Sequence, residues 1–265
     1  MERLDKVLSH HGYGTRKDVK KLLHTQVVTL NGKRITDPSV HIDIDKDTLC
    51  VDEEEVKLQK DLYIMLNKCR DVVCANKDGE HATVFDLIDE NLRHRFLGGD
   101  LHTMGRLDID TEGLLILTTD GQLTHRMLNP KTHAPKTYAV TLRDKLTSEQ
   151  KADYTAKFSK GFYIERDQNE AGFDCQPSRL VWMDSGLVTG KLKQNSEGTD
   201  CVLTITEGKF HQVKRMFAAQ GNEVIYLKRV KMGDLDLDPS IETGKYRELT
   251  ADEVETLINS SPLME

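Results

Sequence analysis

Residues 105–121 read Gly105-Arg106-Leu107-Asp108-Ile109-Asp110-Thr111-Glu112-Gly113-Leu114-Leu115-Ile116-Leu117-Thr118-Thr119-Asp120-Gly121. Four apolar residues in a row, Leu114 to Leu117, run into two threonines and are bounded by glycines, which describes a short buried strand. The polar residues in front of it form a tight loop, and that loop delivers Arg106 and Asp108 beside the strand. Such a position can hold a carboxylate rigidly. An ordinary turn before a strand also uses Asp and Gly, so the rest of the chain has to decide between the two readings.

Outward from this stretch, strands are expected at 63–66, 136–142, 178–183, 187–193 and 201–206, and helices at 83–91, 122–128, 148–158 and 210–220. No Gly-rich phosphate loop opens a helix within a βαβ rhythm, so a dinucleotide-binding or P-loop domain is not indicated. The class that fits is α+β, with a mixed, largely antiparallel sheet flanked by helices.

The first 48 residues follow another plan. Leu4, Val7 and Leu8 fall on one helical face, and Thr15 and Asp18 stand in capping-box spacing ahead of Val19, Leu22 and Leu23. Val27 to Leu30 then meets Asn31-Gly32, the signature of a type I′ turn, and Lys33-Arg34-Ile35 returns. The order is helix, helix, hairpin, with the basic residues left on the outside.

The 265 residues are 37% hydrophobic and 31% charged, which gives one or two domains at roughly 150 residues each and excludes disorder as the main state. The net charge of −7 argues at first against a polyanion as partner. Its distribution argues the other way. Residues 1–34 hold eight basic against three acidic side chains, residues 35–59 two against eight, and residues 207–231 six against two. A basic module and a basic motif are thus set among acidic surfaces. Five cysteines without a C-x-x-C spacing suggest neither a disulfide framework nor a zinc site. No apolar run approaches the roughly 18 to 20 residues of a membrane helix, and Met1-Glu2-Arg3-Leu4-Asp5 places charges where a signal peptide needs its apolar region. A cytoplasmic protein is expected.

Residues 2–48 resemble the S4 RNA-binding domain, with Gln26 standing where that family usually has a Gly-Arg-Val turn. The 105–121 stretch, G-R-L-D-x-x-T-x-G-L-L-x-L-T-x-D-G, is similar to the signature of the RsuA-type pseudouridine synthases (the RsuA, RluB, RluE and RluF group). Lys136-Thr137-Tyr138-Ala139-Val140 and Glu207-Gly208-Lys209-Phe210-His211-Gln212-Val213-Lys214-Arg215-Met216 resemble that family's next two motifs, in order. One departure is Asn67-Lys68-Cys69-Arg70-Asp71, where the family commonly reads N-K-P-x-G, and the loss of Pro and Gly changes how that loop can bend. The resemblance implies an S4-like domain with an acidic linker over 1–58, a pseudouridine synthase domain over 59–259 and a tail at 260–265.

It also implies roles. Asp108 is the catalytic carboxylate, Tyr138 presents a ring to the flipped uracil, and Lys209 pairs with Asp108 to keep it ionised. Val213, at i+4 from Lys209, supplies an apolar wall. Arg106 fills the hole left by the extruded nucleotide or holds its phosphate. Gln212, Lys214 and Arg215 complete the substrate side with His211, the last as a buried, hydrogen-bonded histidine more than as an acid or base. Arg3, Lys6, Arg16, Lys17, Lys20, Lys21 and Arg34 meet RNA. The reaction needs no metal and no cofactor. The implied partner is ribosomal RNA, of the small subunit during assembly, handled by a monomer. Large-subunit rRNA is the alternative target, and a non-catalytic S4-type assembly factor the alternative class. A metal-dependent phosphodiesterase built on Asp108, Asp110 and Glu112 is the third reading.

Overall fold

The computed structural model describes residues 1–56, 58, 61–89, 92, 101–129, 134–166, 170–183 and 199–260. Within the first of these stretches, helix α1 spans Leu4–His10 and α2 spans Arg16–Thr25. Thr15 and Asp18 close the capping box: the Asp18 N–H donates to Thr15 Oγ1 (3.2 Å) and the Thr15 N–H to Asp18 Oδ2 (3.0 Å). This satisfies donors that the first helical turn leaves without partners. Strands Val28–Leu30 and Lys33–Arg34 form the hairpin, with Asn31 and Gly32 at φ +50° and +77° as a type I′ turn requires. Leu4, Val7, Leu8, Val19, Val28, Ile42 and Leu49 are removed from solvent in a core of their own.

That packing leaves Arg16, Lys17, Lys20 and Lys21 exposed on α2, with Arg34 on the hairpin. Two of the expected RNA contacts are more occupied. The Arg3 guanidinium donates to both oxygens of the buried Asp5 carboxylate (3.0 and 2.9 Å), and its hydrogen bonding, together with its charge, holds that carboxyl below the usual range. Lys6 pairs with Glu2 one turn earlier (3.0 Å). Both side chains brace the start of α1, and Arg3 remains half-exposed while doing so.

The larger sheet is built from β1 (Tyr63–Lys68), β2 (Glu112–Thr118), β3 (Lys136–Leu142), β4 (Arg179–Trp182), β5 (Thr199–Ile205), β6 (Val224–Met232) and β7 (Tyr246–Glu248). Their spatial order is β4-β5-β3-β6-β2-β1-β7, and two short pieces on β2 and β6 make nine strands. Among the described residues only the β2–β6 pair of this sheet is parallel, so the sheet is mixed and largely antiparallel. Both faces are covered. Leu115 and Leu117 point into one core with residues of α4 (Ser148–Lys160) and α5 (Gln212–Ala218), while Leu114 and Ile116 point into the other with α3 (Gly121–Leu128) and α6 (Ala251–Ile258). This is why β2 is apolar without alternation.

Three expectations need correction or limits. The helix expected at 83–91 is a single 3-10 turn, Val84–Leu87: Thr83 and Asp86 cap each other around one turn, and Ile88 is already extended. The strand expected at 187–193 lies outside the described residues, as do residues 90 and 91 and most of the tail. Strand β6 was not anticipated, because its lysines and arginine read as a charged zone. In the fold Arg229 is buried, and its Nε–H donates to the Leu114 carbonyl (2.8 Å).

Gly113 sits where β2 and β6 come together in parallel, opposite Arg229, at φ +102°. A Cβ there would overlap the Arg229 carbonyl oxygen and stand 2.8 Å from its nitrogen. Gly113→Ala is therefore expected to destabilise the protein by about 3 kcal/mol or more, from overlap and backbone strain together. Chemical denaturation of the variant checks this, and a midpoint equal to that of the wild type would contradict the tight crossing.

Candidate active site

The loop between residues 104 and 111 is held from beneath by one ammonium. Lys68 ends β1 with no solvent exposure, and its Nζ donates to the carbonyl oxygens of Asp108 (3.0 Å), Ile109 (3.3 Å) and Thr111 (3.0 Å), and of its neighbour Cys69 (3.0 Å). Burial pushes this ammonium below the ordinary lysine value. A buried cation is costly unless it is surrounded by acceptors, and here the backbone dipoles of the loop offset that cost. The Asp71 N–H adds a bond to the Ile109 carbonyl (2.9 Å), and the Leu107 N–H reaches Cys74 Sγ (3.4 Å). The loop is thus fixed through its main chain, and the Asp108 side chain is left to face outward. In the sequence Lys68 reads only as part of a departing loop; the available signal was a lysine two residues after the apolar run Ile64-Met65-Leu66.

The departure itself becomes intelligible. Asp71 has φ +62°, the left-handed region that the expected glycine would adopt freely. Arg70 lies 3.4 Å from Glu112 and over the Tyr226 ring, whose hydroxyl donates to the same carboxylate (3.0 Å). The loop is held by these contacts where the family's Pro and Gly would shape it.

Asp108 is paired, but by a different lysine from the one expected. Lys214 Nζ donates to Asp108 Oδ2 (3.0 Å) and to Asp110 Oδ1 (2.6 Å). Burial raises the Asp110 carboxyl, and the hydrogen bond and charge of Lys214 more than reverse this, leaving it below the usual range. Lys209 turns away: its ammonium meets Glu207 Oε2 (2.8 Å) and the Asp174 carbonyl, beside the Phe173 ring. The reason is where the helix starts. His211 is left-handed (φ +49°), α5 begins only at Gln212, and Lys209 therefore lies ahead of the helix while Lys214 lies in its first turn. Glu112 is spent on Arg70 and Tyr226, so Asp108, Asp110 and Glu112 do not converge as a metal-binding trio.

Arg106, Asp108, Tyr138 and Val213 line one recess together with Lys214. Lys209, His211 and Gln212 are on its wall as well, with Ile205 and Leu227 contributed by the sheet and Thr111 by the loop ahead of β2. Tyr138 and Val213 also belong to the core, so each serves packing and the recess at once. Arg106 is exposed at the edge. His211 is not buried as expected: it is half-exposed, with Nε2 3.7 Å from Asp108 Oδ1. Gln212 is buried and engaged at both ends, accepting from the Lys209 N–H (2.9 Å) and donating to Glu207 Oε1 (2.6 Å). Arg215 does not reach the recess. Its guanidinium donates to the carbonyls of Glu165 (3.2 Å) and Ala171 (2.9 Å) and lies over Phe173, which ties α5 to the ribbon of strands Phe162–Ile164 and Phe173–Cys175.

The profile of the RNA pseudouridylate synthase family matches residues 62–219, and that of the S4 domain matches residues 2–48. The chain is 42% identical over 257 residues to an uncharacterised RNA pseudouridine synthase of Bacillus subtilis, covering 96% of this chain and 98% of the relative. It is 38% identical over 256 residues to the ribosomal small subunit pseudouridine synthase A of Haemophilus influenzae, covering 97% and 99%. A crystal structure of a pseudouridylate synthase shares 37% identity with a TM-score of 0.60, over 97% of this chain and all of that one.

Proposed function

Because the chain belongs to the RNA pseudouridylate synthase family and carries an S4 domain, we propose that it converts one uridine of small-subunit ribosomal RNA to pseudouridine, with Asp108 as the catalytic carboxylate. The observation that carries the choice of RNA is near full-length similarity to enzymes named for the small ribosomal subunit, among them those of Haemophilus influenzae and Vibrio cholerae. Residues 1–58 supply the RNA-binding module and residues 59–259 the catalytic one, acting as a monomer in the cytoplasm on the assembling subunit.

Substrate and product are isomers. The bond from N1 to C1′ breaks, the uracil turns, a bond from C5 to C1′ forms, and the proton on C5 is exchanged for one on N1. An ionised carboxylate beside the sugar can attack C1′ or take the C2′ proton, and either route begins with a group held still. Lys68 supports holding Asp108 still through the main chain, and Lys214 supports orienting its oxygens. Tyr138 and Val213 offer the uracil an apolar slot. A base must leave its stack to enter such a slot, and the exposed Arg106 at the edge suits the vacated position or its phosphate.

The test is to incubate unmodified small-subunit and large-subunit rRNA separately with the protein, without metal, and to map pseudouridine chemically. One modified uridine in the small-subunit RNA is expected; product only in large-subunit RNA would overturn the assignment of target, and tight binding without product would favour an assembly factor. The S4 module has its own check. Replacing Lys17, Lys20 and Lys21 by Ala is expected to weaken rRNA binding and to lower the slope of log affinity against log salt by up to about 2. An unchanged slope would mean that α2 presents only a solvated face.

A further inference from the structure

We propose that the Phe210 ring is a stacking platform for an unpaired base of the RNA, the neighbour of the uridine that enters the recess. This rests on the reading of the protein as an RNA pseudouridine synthase and adds to it a contact outside the recess. Phe210 is 50% exposed, although the side chains around it in the motif are engaged: Lys209 on Glu207, Gln212 at both ends, Val213 in the core. Its ring lies against that of His211, with centroids 3.7 Å apart and planes 28° from parallel. His211 in turn lines the recess, 3.7 Å from Asp108. Two rings thus stand in a row from the carboxylate to solvent.

The backbone makes this row. A helix running through 210 and 211 would carry Phe210 elsewhere, but His211 is left-handed, a conformation that residues other than glycine keep only where their surroundings demand it. Extruding a uridine leaves the base beside it with a bare face. An aromatic ring at the edge of the recess restores that stack, and does so for any of the four bases because each has a π face. Phe210 therefore recognises a position, not a letter of the sequence.

The experiment uses a short fragment of the rRNA in which pseudouridine is mapped, with 2-aminopurine as the 5′ or the 3′ neighbour of the target uridine. Wild-type protein is expected to quench one of the two, Phe210→Ala to lose the quenching, and Phe210→Trp to retain it. On unlabelled RNA, Phe210→Ala should lose about tenfold in kcat/KM, the loss expected of one base stack. On RNA with an abasic neighbour, wild type and Phe210→Ala should react equally. An equal loss on intact and abasic RNA, or no Phe210-dependent quenching at either position, would overturn the platform. The fragment is chosen by where pseudouridine forms, so turnover without Phe210-dependent quenching would overturn the platform alone and leave the functional reading standing.

Discussion

Asp108→Asn is expected to abolish pseudouridine formation, by about 10⁴-fold or more, while RNA binding stays close to wild type. The amide has nearly the same shape, but it neither attacks carbon nor accepts a proton at useful rates. The fold should tolerate it, because the carbonyl oxygen of this residue keeps its bonds to Lys68 and to the Thr111 N–H (3.1 Å), and an amide oxygen still accepts from Lys214 at this partly exposed side chain. Chemical mapping of pseudouridine, paired with a binding assay on the same RNA, checks both halves. Product at the wild-type level from Asp108→Asn would remove this carboxylate from the chemistry.

The second large effect separates two lysines of one motif. Lys214→Met is expected to lower kcat by about 10²-fold with little change in KM, since it removes a charge-assisted hydrogen bond of 3.0 Å from Asp108 and leaves two carboxylates facing each other. The pair is partly exposed, which keeps the expected loss below that of a fully desolvated pair. Lys209→Met should cost less than tenfold in kcat and show itself instead as a stability loss of about 1 kcal/mol, because its ammonium braces Glu207 and the Asp174 carbonyl. Single-turnover rates of the two variants decide the matter: a larger loss in Lys209→Met would restore the pairing suggested by the motif alone.

What could be read in advance was what local chemistry dictates. Thr15 and Asp18 are three residues apart and can only cap one another; Asn31-Gly32 is one of few pairs that enter a type I′ turn; both were found as expected. Asp108 was legible as a carboxylate held on a tight loop beside a buried strand, through the residues of that loop. Its partner was not, because the choice between Lys209 and Lys214 turns on a single positive φ at His211, which periodicity cannot register. Strand β6 was missed for a related reason. Its charged residues suggest a surface, and only the pairing with β2 and β3 shows that Arg229 is taken inside, with its Nε–H on the Leu114 carbonyl. Lys68 is the same case: a cation reads as solvent-facing until the carbonyls it serves, some forty residues later in the chain, are placed around it.

The position of β6 also says when the recess can exist. Strands β2 and β3 do not pair with each other; β6, more than eighty residues downstream of both, lies between them and pairs with each. On a growing chain, everything up to residue 223 can emerge while the middle of the sheet is still missing, and two apolar strands wait with open edges. The carboxylate comes from one side of that gap and the Tyr138 ring from the other. Synthesis therefore builds the two halves of the recess separately, and the segment that begins at residue 224 joins them.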